Sequence, residues 1–167
     1  MDDLERLVAI EDIKQLKYRY YRFLDAKNWE QFRAIWTEDA VMDVSVQERI
    51  LTTEDGLYRG PDAITAFAAK AIGAGSTIDH AIMPEIEVTS PTTARAIWVQ
   101  EDRVTWPEGH PNRTLHGHGY EHETYEKIDG AWRIRSTKLV RMKVDMVRAD
   151  SPRPRERERE GPASAGG

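Results

Sequence analysis

Over the first 26 positions, apolar residues recur at three- and four-residue spacing: Leu7, Ile10, Ile13, Leu16, Tyr20, Phe23 and Leu24. That period predicts a helix from about Asp3 to Ala26. Asp2 and Asp3 stand where the positive end of its dipole favours acids. Asn28 is a candidate N-cap for a second helix, about Trp29 to Thr37, and a strand is expected over about Ala40 to Val46. The segment YRGPDAITAFAAKAIG reads as a third helix, with Pro61 in its first turn and Gly73 at its end. From Thr77 the pattern changes to strands: TIDHAIMPEIEV, TTARAIWVQEDRVTW, TLHGHGYEHETYEKI and AWRIRSTKLVRMKV. TSPTT joins the first pair, PEGHPNR makes a longer polar connection, and Asp129-Gly130 signals a tight hairpin. Helices first and an antiparallel meander afterwards indicate an α+β fold. Such a sheet, curled around the helices, makes a cone that is packed at one end and leaves a pocket at the other.

Composition narrows the setting. The 167 residues suggest one domain, over residues 1–147, large enough to fold without a disulfide or metal. Residues 148–167, rich in Arg, Glu, Pro and Gly, are expected to be a disordered tail. The chain has no cysteine, which excludes thiol catalysis and thiolate metal sites and fits a reducing compartment. A net charge of -5 argues against nucleic acid. No run is long enough to cross a membrane, and the acidic N-terminus is unlike a signal peptide. These features predict a cytoplasmic protein with a small-molecule substrate.

Two neighbouring titratable residues, Asp79 and His80, open the first meander strand. Successive strand residues face opposite ways, so only one points into the sheet's concave face. On the next strand, alternation puts Ala94, Ala96, Trp98, Gln100 and Asp102 on one face, small at one end and polar at the other. His116, His118 and His122 share one strand face. Steps of about 7 Å are too wide for one metal without bending, so no metal site is expected from them. Trp98 and other aromatics either line the pocket or fill the core.

IEDIKQLKYRYYRFLDAKNWEQF, MPEIEV, TTARAIWVQEDRV, HETYEKIDGAWRI and KLVRMKVD together resemble the SnoaL-like branch of the nuclear transport factor two-like superfamily. The resemblance is strongest to the subset that includes bile-acid 7α-dehydratase and scytalone dehydratase. It implies a cone-shaped, cystatin-like α+β barrel and a homo-oligomer, trimer or dimer. It also implies acid–base chemistry without metal or cofactor. Fold analogy does not select the reaction, because cyclases, isomerases and non-catalytic subunits share the fold.

The family's dehydratases use a tyrosine of the first helix and a histidine–aspartate pair on the sheet. The resemblance assigns these roles to Tyr20 and Asp102. The family histidine lies five residues before the proline of the PEI motif, and that position here is Asp79. Either a bulge turns His80 inward and keeps the pair, or Asp79 faces inward near Asp102 and like charge raises one carboxyl's pKa. A third possibility is loss of the activity. Arg141 and Asp25 match family residues and are further substrate-binding candidates, with a capping role as the alternative for Asp25. His122, where the family commonly has histidine, is a pocket residue or a substitute base. The expected function is dehydration of a small cyclic, steroid-like or polyketide-like hydroxy compound. The alternatives are isomerisation, cyclisation or a non-catalytic binding subunit.

Overall fold

The computed structural model describes residues 1–45 and 55–149. The predicted end of the first strand at Val46 and nearly all of the expected tail lie outside the described residues. Helix α1 spans Asp3–Asp25 and opens with a capping box. The Asp2 carboxylate accepts from the Glu5 amide and Glu5 accepts from the Asp2 amide, both at 2.8 Å, which satisfies donors the first turn would otherwise leave unpaired. At the other end Lys27 takes a left-handed φ of 54°. The amides of Lys27 and Asn28 reach back to the carbonyls of Leu24 and Phe23, a Schellman closure. The buried stripe is Ala9, Ile13, Leu16, Lys17, Tyr20, Tyr21 and Phe23. Leu7, expected on that stripe, is exposed, as are Leu4 and Val8 in the same turns.

Helix α2 covers Trp29–Ala34, capped by the Asn28 side chain. It ends three residues earlier than the apolar period suggested. Strand β1 begins at Trp36 rather than Ala40 and runs to Asp43. The cause is tertiary: Trp36 pairs in parallel with Ile134 of the last strand, and the Ile134 amide donates to the Ile35 carbonyl at 2.9 Å. A three-residue edge strand, β2 (Leu57–Arg59), takes residues the helical pattern had claimed and pairs antiparallel with β1. Helix α3 is Pro61–Ile72, between Gly60 and Gly73.

The remaining strands are β3 (Ser76–Ser90), β4 (Thr93–Thr105), β5 (Asn112–Ile128) and β6 (Ala131–Arg148). The sheet order is β2-β1-β6-β5-β4-β3, antiparallel except for β1 against β6. At the β5–β6 turn Asp129 and Gly130 both have positive φ, 51° and 81°, as a two-residue hairpin with native twist requires. The fold is the α+β cone of the nuclear transport factor two-like type, with the helices against the concave face of a curved, unclosed sheet. Its packed end is built from Ile13, Leu16, Phe32, Trp36, Trp98 and Ile134, each at most 1% exposed. Among the described residues no helix is long and apolar enough to cross a membrane.

Candidate active site

At the open end of the cone α1, α3 and the concave faces of β3 to β6 enclose a cavity of about 130 Å³. Leu24, Met42, Phe67, Ala68, Ile72 and Leu139 give it apolar walls. Its polar groups come from α1 (Tyr20, Tyr21), β3 (Thr77, Asp79), β4 (Gln100, Asp102), β5 (Glu121) and β6 (Thr137, Arg141). The alternation expected for β4 is observed: Ala94, Ala96, Trp98, Gln100 and Asp102 are all buried, and the strand runs from the packed end to the cavity.

Asp79 faces the cavity and His80 faces out. Asp79 stands directly opposite Asp102 in the β3–β4 register. Side chains so placed approach within about 4.5–5.5 Å at Cβ, so two carboxyls share one corner. They are held very differently. Asp102 receives both terminal nitrogens of Arg141, Nη2 to Oδ2 at 2.9 Å and Nη1 to Oδ1 in a short contact. Gln100 completes a triangle, donating to Asp102 Oδ1 at 2.8 Å and accepting from Arg141 at 3.0 Å. Gly117 makes the triangle possible: a Cβ there would collide with Arg141 Nη1 and Asp102 Oδ1.

By contrast, Asp79 Oδ1 is buried with no hydrogen-bond partner among the described residues. Burial pushes the Asp79 carboxyl up to about 8, helped by the charges of Asp102, Asp25 and Glu121, against weak opposition from the Arg103 backbone amide. At neutral pH it is mostly a neutral acid, and once ionised it is a stronger base than an ordinary carboxylate. Thr137 Oγ1, on the same cavity wall, is also buried and unpartnered. The Tyr20 hydroxyl makes no hydrogen bond among the described residues. Burial, then the charges of Glu121, Glu123, Asp79 and Asp102, hold Tyr20 well above the ordinary phenol range, so it remains a donor.

Below this corner lies a network that the expected site did not include. Lys17 is completely buried, and its Nζ contacts Glu121 at 2.6 Å and Glu123 at 2.7 Å. Tyr21 donates to Glu121 at 2.6 Å, Tyr125 donates to Glu123 in a short contact, and Trp98 Nε1 donates to the Tyr125 oxygen at 2.8 Å. Burial alone would lower the Lys17 pKa, but the two carboxylates outweigh it and raise it. Burial also raises Glu123, with Lys17 opposing. The available signal is parity: Leu115, Glu121, Glu123 and Tyr125 alternate inward on β5, opposite a lysine inside the apolar stripe of α1.

Other expected site residues fall elsewhere. His80 is half exposed on the outer face, its Nδ1 3.9 Å from Glu101. The bulge within β3, at Ile82–Glu85 with Met83 at φ 48°, comes after His80 and does not turn it inward. His122 also points outward, into an open groove with Ser136 and Lys138, because its even-numbered position on β5 shares the solvent face. Trp98 is fully buried in the core, outside the cavity lining. Asp25 accepts from Thr77 at 2.6 Å, tying the end of α1 to β3 at the cavity's edge.

A curved sheet closed by helices over a cavity with titratable groups defines a nuclear transport factor two-like pocket protein. Residues 5–138 match the model of the SnoaL-like domain, and the chain belongs to that family. Among solved structures, a putative scytalone dehydratase from Novosphingobium aromaticivorans is 19% identical. The match covers 92% of this chain and 97% of that one with a TM-score of 0.75. The hexachlorocyclohexane dehydrochlorinase LinA-type3 from Novosphingobium barchaimii is 18% identical, with 92% and 99% coverage and a TM-score of 0.72. A protein named Aln2, from a Streptomyces species, is 19% identical over 80% of this chain and 90% of that one, with a TM-score of 0.63. At these identities the likeness is one of fold.

Proposed function

We propose that the protein is a cofactor-independent lyase that eliminates water from a small monocyclic hydroxy ketone, with Asp79 as the proton-transfer group. The observation that carries this reading is the pair of facing carboxyls, one locked by Arg141 and Gln100 and the other with its inner oxygen, Oδ1, buried and unpartnered among the described residues. Burial first, and then the negative charge of the locked Asp102, make the ionised Asp79 more basic than an ordinary carboxylate. In the reaction, the Asp79 carboxylate takes a proton from the carbon next to the carbonyl. The electron pair moves into an enolate, whose oxygen is stabilised by the Tyr20 hydroxyl. The enolate then expels the neighbouring hydroxyl, which takes the proton back from Asp79 and leaves as water. A carbon–carbon double bond is formed, and Asp79 returns to its starting state. Because one group both removes and returns the proton, the elimination is syn.

Cavity size supports the substrate class. An apolar cavity of about 150 Å³ accommodates benzene, so about 130 Å³ suits one ring rather than a steroid. Two of the structural relatives are named for eliminations, a dehydratase and a dehydrochlorinase, which is consistent with this chemistry.

The test is a panel of monocyclic β-hydroxy ketones, followed by the ultraviolet absorbance of the conjugated enone. Asp79→Asn is expected to lower turnover about 10²–10⁴-fold, and Tyr20→Phe about 10²-fold. Retained turnover in Asp79→Asn would remove the mechanism. Tight binding across the panel with no enone formed would instead favour a non-catalytic binding protein.

A further inference from the structure

The outer face of the sheet carries a second cluster, which the elimination does not use. In the β4–β5 register Glu101 stands opposite His118, and Arg103 opposite His116. His116 and His118 are two residues apart on β5, a separation of about 7 Å in a regular strand. Their ring centroids are nevertheless only 4.4 Å apart. Both residues lie on the same, regularly paired stretch of β5, so the rings approach by leaning toward each other along the strand face. Glu101 reaches across from β4, its Oε1 2.6 Å from His116 Nε2. The ligand atoms of Glu101, His116 and His118 all lie within 4.8 Å of one another. A third imidazole, His80 from β3, stands 3.9 Å from the other Glu101 oxygen.

We propose that Glu101, His116 and His118 form a binding site for a zinc-class divalent cation. The backbone spacing that argued against a shared metal is overcome by the side chains, whose ligand atoms converge to within 4.8 Å, and His122, two turns of the pleat away from His118, takes no part. Two imidazole nitrogens and one carboxylate oxygen suit zinc, cobalt or nickel, whereas magnesium and calcium prefer all-oxygen sets. With metal–ligand bonds of about 2.0–2.1 Å, tetrahedral ligand atoms sit roughly 3.3 Å apart. The cluster brackets that separation, and all three side chains are only partly buried, so rotation about side-chain bonds suffices. Glu101 supplies the carboxylate oxygen, already directed at His116. Arg103 donates to Glu101 Oε1 at 2.9 and 3.1 Å and must move aside. It is more than half exposed, and surface pairs of this kind contribute little. On β6, Asp145 faces His116 in register and is paired with Lys143. A bound ion would clamp β4 to β5 back to back with the Asp102–Gly117 pair on the concave side.

The experiment is calorimetric titration of the tag-free, full-length protein with zinc chloride, together with visible spectra after cobalt addition. One ion per chain and the intense bands of four-coordinate cobalt are expected for the native protein and for His122→Ala. In His118→Ala and in Glu101→Gln the affinity should fall at least tenfold and the intense cobalt bands should disappear. Equal binding by native protein and His118→Ala, or no saturable binding by the native protein, would overturn the proposal. Neither result bears on the elimination, which uses the opposite face.

Discussion

Two buried groups of charge share the interior of this cone. In the lower one every strong hydrogen-bonding member is matched: Lys17 with Glu121 and Glu123, and these with Tyr21 and Tyr125. In the upper one Asp102 is matched by Arg141 and Gln100, but Asp79 is not matched at Oδ1. Burial of charge by itself therefore does not mark the reactive centre. A satisfied network fixes how α1 seats on β5. An unsatisfied carboxyl opening on a cavity keeps a free lone pair and an elevated pKa, which are the properties proton transfer from carbon requires.

The contrast breaks most visibly at Lys17. Lys17→Met removes the cation that bridges two buried carboxylates and should cost about 3–5 kcal/mol, measured by urea unfolding. Net stabilities are about 5–15 kcal/mol, so this is a large share of the total. Adding Glu123→Gln should recover part of the loss.

Asp79→Asn should do the opposite to stability. The folded-state pKa of about 8 lies above the unfolded value of about 3.9, so between these values the folded chain holds a proton that the unfolded chain has released. The stabilisation from protonated Asp79 is fully present below about pH 4 and is lost as pH rises through about 8. Asp79→Asn has no such loss. Its stability should therefore exceed that of the native protein by a margin that grows from pH 5 to pH 8, by up to about 1.4 kcal/mol per pH unit, read from urea unfolding at each pH. Under the proposed elimination, kcat/KM of the native protein should fall about tenfold per pH unit below pH 8, since the base must be ionised.

The smallest of these effects is expected at Gly117. Gly117→Ala places a methyl group against the Asp102–Arg141 pair. Arg141 is displaced, at a cost of roughly 1–3 kcal/mol in stability. Turnover should fall less than in Asp79→Asn, because the proton-transfer group itself remains.

Much of this architecture can be read from local pattern. The helical period of α1, the Asp129-Gly130 hairpin and the inward face of β4 each depend on residues close together in the chain. What could not be read depends on distant partners. β1 starts at Trp36 because it pairs with a strand about a hundred residues later, a contact no local period encodes. Alternation requires that one of Asp79 and His80 face the cavity, but the choice is made by register with Asp102 on β4. Lys17 on an apolar stripe could equally be a lysine whose stem packs while its head reaches water. Only Glu121 and Glu123, brought over it by β5, hold the ammonium inside.

The central claim is that the Asp79 carboxyl, with Oδ1 buried and unpartnered, is kept protonated at neutral pH by its surroundings. Carbon-13 NMR of aspartate carboxyls, titrated from pH 3 to pH 10 in the native protein and in Asp79→Asn, tests it directly. One resonance should titrate near pH 8 and be missing from the variant. If every aspartate in the native protein has lost its proton by about pH 5, Asp79 is an ordinary carboxylate and the account is wrong.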